Sequence, residues 1–185
     1  NQTKTIKYLD LERYHLKKQP SEQSKKELYE KNKNIFFTEF KSIRYAEITP
    51  EKISGSAEYD EPFFKQLDII ENNILDGQSF NETVKNDNLE IITIQKINAK
   101  KENGEKIKIK KLSDSLFKKI YNLPSENVPE IVELNSKYYL VEVLSIEKKN
   151  RPFSDPEVQE ALNAQLNFKN KIENNTSIIK DISMG

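Results

Sequence analysis

The sequence predicts an α+β fold, a small and mainly antiparallel sheet packed by helices, with helical extensions at both ends. Three observations predict it. Runs with strand-like apolar patterning stand between runs whose apolar residues recur at helical spacing. Asn103-Gly104 and Asn135-Ser136 each join two strand-like runs closely enough for hairpins, and hairpins are antiparallel. The 185 residues, 35% of them hydrophobic, suit one ordinary domain with extensions. The division read from the pattern is a strand and helix over 1–36, a sheet domain over 37–150, and a C-terminal helix over 151–185.

The elements follow in order. Thr5 to Leu11, apolar at 6, 8, 9 and 11, reads as a first strand. Ser21 is a good N-cap for a helix to about Ile35, with Leu28, Tyr29 and Ile35 as a thin stripe. Ser42 to Thr49 reads as a strand ended by Pro50, and residues 51–60 as a loop. Pro62 fits the first turn of a helix with Phe63, Leu67, Ile70 and Ile74 on one face and Asp76-Gly77 as its stop. Ser79 and Glu82 make a capping box for a short helix to about Asn86. Leu89 to Ile97 and Glu105 to Lys111 read as the two strands of a hairpin turned by Asn103-Gly104.

Ser113 caps a helix to Leu123 with Leu116, Phe117 and Ile120 on one face. Pro129 to Leu134 and Lys137 to Ile146 form a second hairpin. Its second strand is apolar on both faces, which predicts a central position. Ser154, Pro156 and Glu157 open a helix of about 18 residues. Its stripe, Val158, Leu162, Leu166, Phe168 and Ile172, is expected to be incompletely buried within one copy. A core of roughly 110 residues has little surface left to cover such a helix. The helices beginning at Ser21 and Pro156 are expected to lie outside the sheet domain.

Composition narrows the function classes. Lys+Arg and Asp+Glu both number 30, so no basic field exists for nucleic acid. The absence of cysteine removes disulfides, thiolate metal sites and thiol nucleophiles. The sole histidine, His15, removes mechanisms and metal clusters that need two, and neither a metal nor another cofactor is expected. No apolar run approaches a membrane span, and Asn1-Gln2-Thr3-Lys4 does not open a signal peptide. The acidic clusters Asp10-Glu12, Glu58-Asp60-Glu61 and Glu130-Glu133 sit in no recognisable loop motif and read as solvated surface. So does His15 among its charged neighbours.

Several runs carry a family resemblance. Phe63-Phe64-Lys65-Gln66-Leu67 through Leu75-Asp76-Gly77-Gln78-Ser79-Phe80, the helix Leu112 to Leu123, Val128-Pro129-Glu130-Ile131-Val132 and Lys137 to Val143 together resemble the core of parvulin-type prolyl isomerases. The lead-in Ile6 to Leu11 and Leu28 to Phe36, and the linker Arg151 to Val158, are similar to SurA- and PpiD-like periplasmic folding factors. The resemblance spans most of residues 4–175. It implies a protein-folding factor of the bacterial periplasm whose clients are unfolded or extended polypeptides. A homodimer through the terminal helices is a further expectation, and an anchor outside this chain would tie it to the membrane.

The departures bear on chemistry. Parvulin-type enzymes carry two histidines on adjacent central strands; here the first position falls on Ala46, or on Tyr45 in a frame shifted by one, and the second on Tyr139. The Met and Phe of the family groove correspond to Leu112 and Leu116. Prolyl isomerisation must overcome about 18–20 kcal/mol of amide resonance. A catalyst therefore needs an apolar proline pocket and polar groups that favour the twisted amide. Tyr45, Tyr121 and Tyr139 would offer hydroxyls, and Leu112, Leu116 and Phe117 an apolar wall; helical and alternating spacing equally makes all six ordinary core residues. The leading expectation is a chaperone without isomerase activity, no catalytic residue being assigned. An active isomerase and a structural spacer or dimerisation domain are the alternatives.

Overall fold

The computed structural model describes residues 10, 19–105 and 107–184; His15 and the expected first strand, Asp10 apart, lie outside them. The chain divides into two compact units, Thr38–Lys149 and the flanks Asn1–Phe37 with Asn150–Gly185.

The first unit is built on a four-stranded antiparallel sheet of β1 (Phe37–Ile48), β2 (Ile92–Asn98), β3 (Glu130–Leu134) and β4 (Lys137–Asn150), in the order β2-β1-β4-β3. β3 and β4 close through Asn135 and Ser136, both at positive φ (52° and 58°), the two-residue turn whose twist matches that of paired strands. β1 and β2 pair with Phe40 against Asn98 and Tyr45 against Ile92. One extra β2 residue is accommodated between Lys41 and Ile43. Lys96 takes φ 50° there and donates its N–H to Ser42 Oγ at 3.3 Å.

Each sheet face is covered by helices. On one, Ile43, Tyr45, Ile94, Ile97, Val141 and Val143 pack against Leu116, Phe117 and Ile120 of α5 (Asp114–Tyr121). On the other, Ala46, Ile48 and Leu140 pack against Phe63 and Leu67 of α3 (Glu61–Leu75) and Phe80 and Val84 of α4 (Phe80–Asp87). β4 is therefore central and apolar on both faces, as its sequence predicts. The caps of α4 and α5 are the expected ones, and Asp60, read from the sequence only as part of a solvated acidic cluster, caps α3 as well. Ser79 and Glu82 form the full box, Ser113 Oγ accepts from Leu116 N, and Asp60 accepts from Phe63 N at 3.0 Å.

Two expectations in this unit need correction. Residues 105 and 107–111 form no strand: beyond a single antiparallel bridge between Glu102 and Lys108 they run as a loop. The reason is local. Asn98 Oδ1 accepts from the N–H groups of Lys100 and Glu102, and Asn103 Oδ1 accepts from those of Glu105 and Ile107, so side-chain turns replace the ladder. The loop expected over 51–60 begins with a short helix, α2 (Pro50–Ile53), because Pro50 presets a helical φ and the Thr49 carbonyl accepts from Lys52 and Ile53.

The second unit contains α1 (Glu22–Lys31), a 3-10 turn over Lys33–Ile35, and α6 (Pro156–Met184). Ser21 Oγ caps α1 through Ser24 N. α6 has 29 residues, well beyond the expected 18 or so. Val158 and Leu162 are buried against Tyr29, with Leu28, Phe36 and Phe153 around them. The Tyr29 ring stacks on Phe36 at 5.7 Å, meets Phe153 edge-on at 5.6 Å, and donates its hydroxyl to the Arg151 carbonyl at 2.8 Å. The stripe is incompletely buried, as expected, with its covered part at the start: Leu162 is 0% exposed, because α1 and the 151–155 turn supply its cover. Leu166 is half-buried, whereas Phe168 and Ile172 are exposed.

Candidate functional site

The six residues expected to line a client groove come together on the α5 face of the sheet, most of them as core. Leu112, Leu116, Phe117 and Tyr45 are buried, and only Tyr121 and Tyr139 remain half-buried. Side chains so enclosed wall the core and present no surface to a client. Tyr121 donates its hydroxyl to the Glu39 carbonyl at 3.0 Å, and its ring lies tilted against that of Phe117 at 5.2 Å. Lys41 Nζ lies 5.0 Å from the Tyr121 ring centre and donates to the Tyr121 and Leu123 carbonyls at 2.7 and 2.9 Å, closing the end of α5.

The sheet faces separate Ala46 from Tyr45. Ala46 is buried on the α3–α4 face, so it cannot share a site with Tyr139 on the α5 face. Tyr45 can: its ring meets that of Tyr139 at 6.4 Å, edge to face. Burial raises both phenols above their ordinary range, with the Glu47 carboxylate pushing the same way. Both stay protonated at neutral pH, able to donate a hydrogen bond but not to act as a base. Lys137 and Glu47 pair at 2.7 Å beside them.

On the opposite face a polar constellation went unread. Arg44 Nε and Nη2 reach Glu142 Oε2 at 2.6 and 2.5 Å, its Nη1 donates to Asn81 Oδ1 at 2.7 Å, and its guanidinium lies 4.2 Å from the centre of the Phe80 ring. The signal was present: opposite charges interrupt the apolar runs Ile43-Arg44-Tyr45 and Val141-Glu142-Val143 on strands covered on both sides. With every group engaged within the sheet unit, its role is to tie β1, β4 and α4 together.

While Ile91, Ile92, Ile107 and Val128 are exposed elsewhere, accessible apolar side chains of this unit cluster along the two flanks of α3. On one, Tyr59 and Phe64 are exposed and Tyr138 of β4 half-buried around the enclosed Phe63. Tyr59 meets Phe63 at 4.8 Å and Tyr138 at 5.9 Å, while Phe64 meets Tyr138 at 6.0 Å. On the other, Ile53, Pro62 and Ile69 line an open groove of about 480 Å³. Sequence reasoning placed Phe64 in a family motif without seeing that it faces outward.

Among the described residues no group of three or more acidic or histidine side chains could hold a metal ion, and no helix is long and apolar enough to cross a membrane. No family model, curated protein or solved structure matches this chain.

Proposed function

We propose that this chain is a folding factor that holds extended apolar segments of unfolded polypeptides, a chaperone of the bacterial periplasm without prolyl isomerase activity. The observation that carries the reading is the aromatic surface of Tyr59, Phe64 and Tyr138 at the head of α3. Exposed contiguous aromatic surface marks an interaction site. The two open rings, Tyr59 at 39% and Phe64 at 41% exposed, offer roughly 160 Å² of about 200 Å² each, or about 4 kcal/mol at 25 cal/mol per Å². Set against the cost of association, that gives weak and sequence-tolerant binding, which suits a holding chaperone. The motif order of the parvulin-like core and the α+β architecture support the same reading. The lack of any histidine in the sheet unit argues against isomerase chemistry.

The test is suppression of aggregation of a chemically denatured client by a molar excess of the folded chain. Wild type is expected to suppress aggregation, and Tyr59→Ser with Phe64→Ser to lose most of that effect at unchanged far-UV circular dichroism. A folded wild type without effect overturns the reading.

One observation favours isomerase activity as a second reading: Tyr45 and Tyr139 place two protonated phenols together on neighbouring central strands. Acceleration of a proline peptide in a protease-coupled assay, lost in Tyr139→Phe, would establish it; no acceleration removes it.

A further inference from the structure

The far half of α6 carries a pattern that the near half does not. Val158, Leu162 and Leu166 recur every four residues, and the first two are covered by α1. From Phe168 onward the spacing changes to 4-3-4-3, through Ile172, Asn175, Ile179 and Ile182. That is a 3.5-residue period, the seam of one helix lying along another of the same pitch. The four apolar members are 65%, 49%, 55% and 60% exposed. Length explains why α1 does not cover them, and no other described element of the helical unit is long enough to do so. α6 is about 43 Å long, whereas the ten residues of α1 span about 15 Å.

We propose that this seam is where two copies of the chain associate, α6 against α6, with Asn175 of one copy facing Asn175 of the other. Three features select a second copy. An extended client has no 3.5-residue period, so the seam requires a helix. Asn175 stands at the middle of the seam, and an amide is its own complement as donor and acceptor. A single polar seam position of this kind sets register between paired helices. In this register, parallel or antiparallel, Lys169 and Lys171 face Ala164, Thr176, Ile178 or Ser183 and never each other, so no like charges oppose association. The groove of about 580 Å³ between α1 and α6, lined in part by Leu28, Leu166, Phe168 and Ile172, opens at the head of the seam and extends the contact.

The seam from Phe168 to Met184 is about 25 Å long, too short for the roughly 800 Å² per partner of a stable interface. The dimer is therefore weak and reversible. Sedimentation equilibrium of the whole chain from about 10 μM to 1 mM tests it. The weight-average mass is expected to rise from 21.7 kDa toward twice that value. Ile172→Glu with Ile179→Glu should hold the chain monomeric throughout at unchanged far-UV circular dichroism. Asn175→Asp, which sets two carboxylates face to face, should raise the dissociation constant at least tenfold. Phe64→Ser should leave it unchanged, which separates this surface from the client surface. A wild type that stays at 21.7 kDa at 1 mM overturns the proposal, and so does a double variant that associates like wild type.

Discussion

Replacing Arg44 by methionine is the most informative single perturbation of the sheet unit. Methionine keeps much of the stem that lies on Phe80 but removes the guanidinium, leaving Glu142, 3% exposed at its side chain, without its cation. It also strands Asn81 Oδ1 near the surface. Breaking a buried ion pair from one side costs about 3–5 kcal/mol, because the remaining charge has lost both water and partner. The second replacement should reverse most of that loss. With Arg44→Met and Glu142→Leu together, the pair becomes two apolar side chains of similar bulk, and such swaps range from neutral to stabilising. The interaction energy of the cycle should therefore reach at least about 2 kcal/mol. Urea unfolding followed by far-UV circular dichroism measures all four corners, with an unchanged slope confirming that the same surface unfolds. An Arg44→Met cost below about 1 kcal/mol would refute the reasoning. So would a double variant less stable than Arg44→Met alone.

Lys41→Met should cost about 2–4 kcal/mol in the same assay, since it removes two charge-assisted hydrogen bonds at the end of α5, one to the part-buried Tyr121 carbonyl and one to the buried Leu123 carbonyl. Ser136→Gly should stabilise by about 0.5–1 kcal/mol by relieving a serine at φ 58° in the β3–β4 turn; a loss of stability would contradict the assigned turn. Acid should weaken the fold through the helix caps. Asp60 is held below its usual pKa by the Phe63 N–H and then the Ser56 hydroxyl, and Glu82 by the Ser79 hydroxyl and then the Ser79 N–H. A carboxyl whose pKa is lower folded than unfolded contributes fully above its unfolded pKa, and that contribution vanishes as pH falls through the folded one. Asp87 works in the opposite sense, its burial favouring the protonated form. Thermal melts from pH 7 to pH 3 should therefore show a loss of stability on the acid side that Asp60→Asn with Glu82→Gln flattens. An equally steep loss in that variant would place the acid sensitivity elsewhere.

Local signals carried far through this fold. Ser79-Glu82, Ser113 and Ser21 placed helix starts to within a residue, because a cap is decided by a few neighbouring backbone groups. Asn135-Ser136 placed the β3–β4 turn for the same reason. What escaped was decided at a distance. β1 begins five residues earlier than its apolar run, since Lys41 is buried only because the end of α5 lies above it. Asn103-Gly104 turns the chain into a single antiparallel bridge, Glu102 against Lys108, and not a full hairpin, since the side chains of Asn98 and Asn103 take N–H groups a longer ladder would use. The candidate groove residues were legible as a group sharing one side of the sheet. Their enclosure was not, because periodicity finds the buried face of a helix and says nothing of whether a cleft opens beside it. Phe64 shows the converse, an aromatic residue whose outward position depends on how Tyr59 and Tyr138 pack around Phe63.

The claim that this chain holds extended clients on the aromatic head of α3 is tested most directly by mapping contact on the folded protein. The isotopically labelled chain, titrated with an unstructured apolar peptide, reports contact residue by residue through its amide and aromatic resonances. Saturable shifts centred on Tyr59, Phe64 and Tyr138, weakened at least tenfold in Phe64→Ser, are the expected result. Shifts centred on Tyr45, Tyr121 and Tyr139, or none up to millimolar peptide, would contradict it.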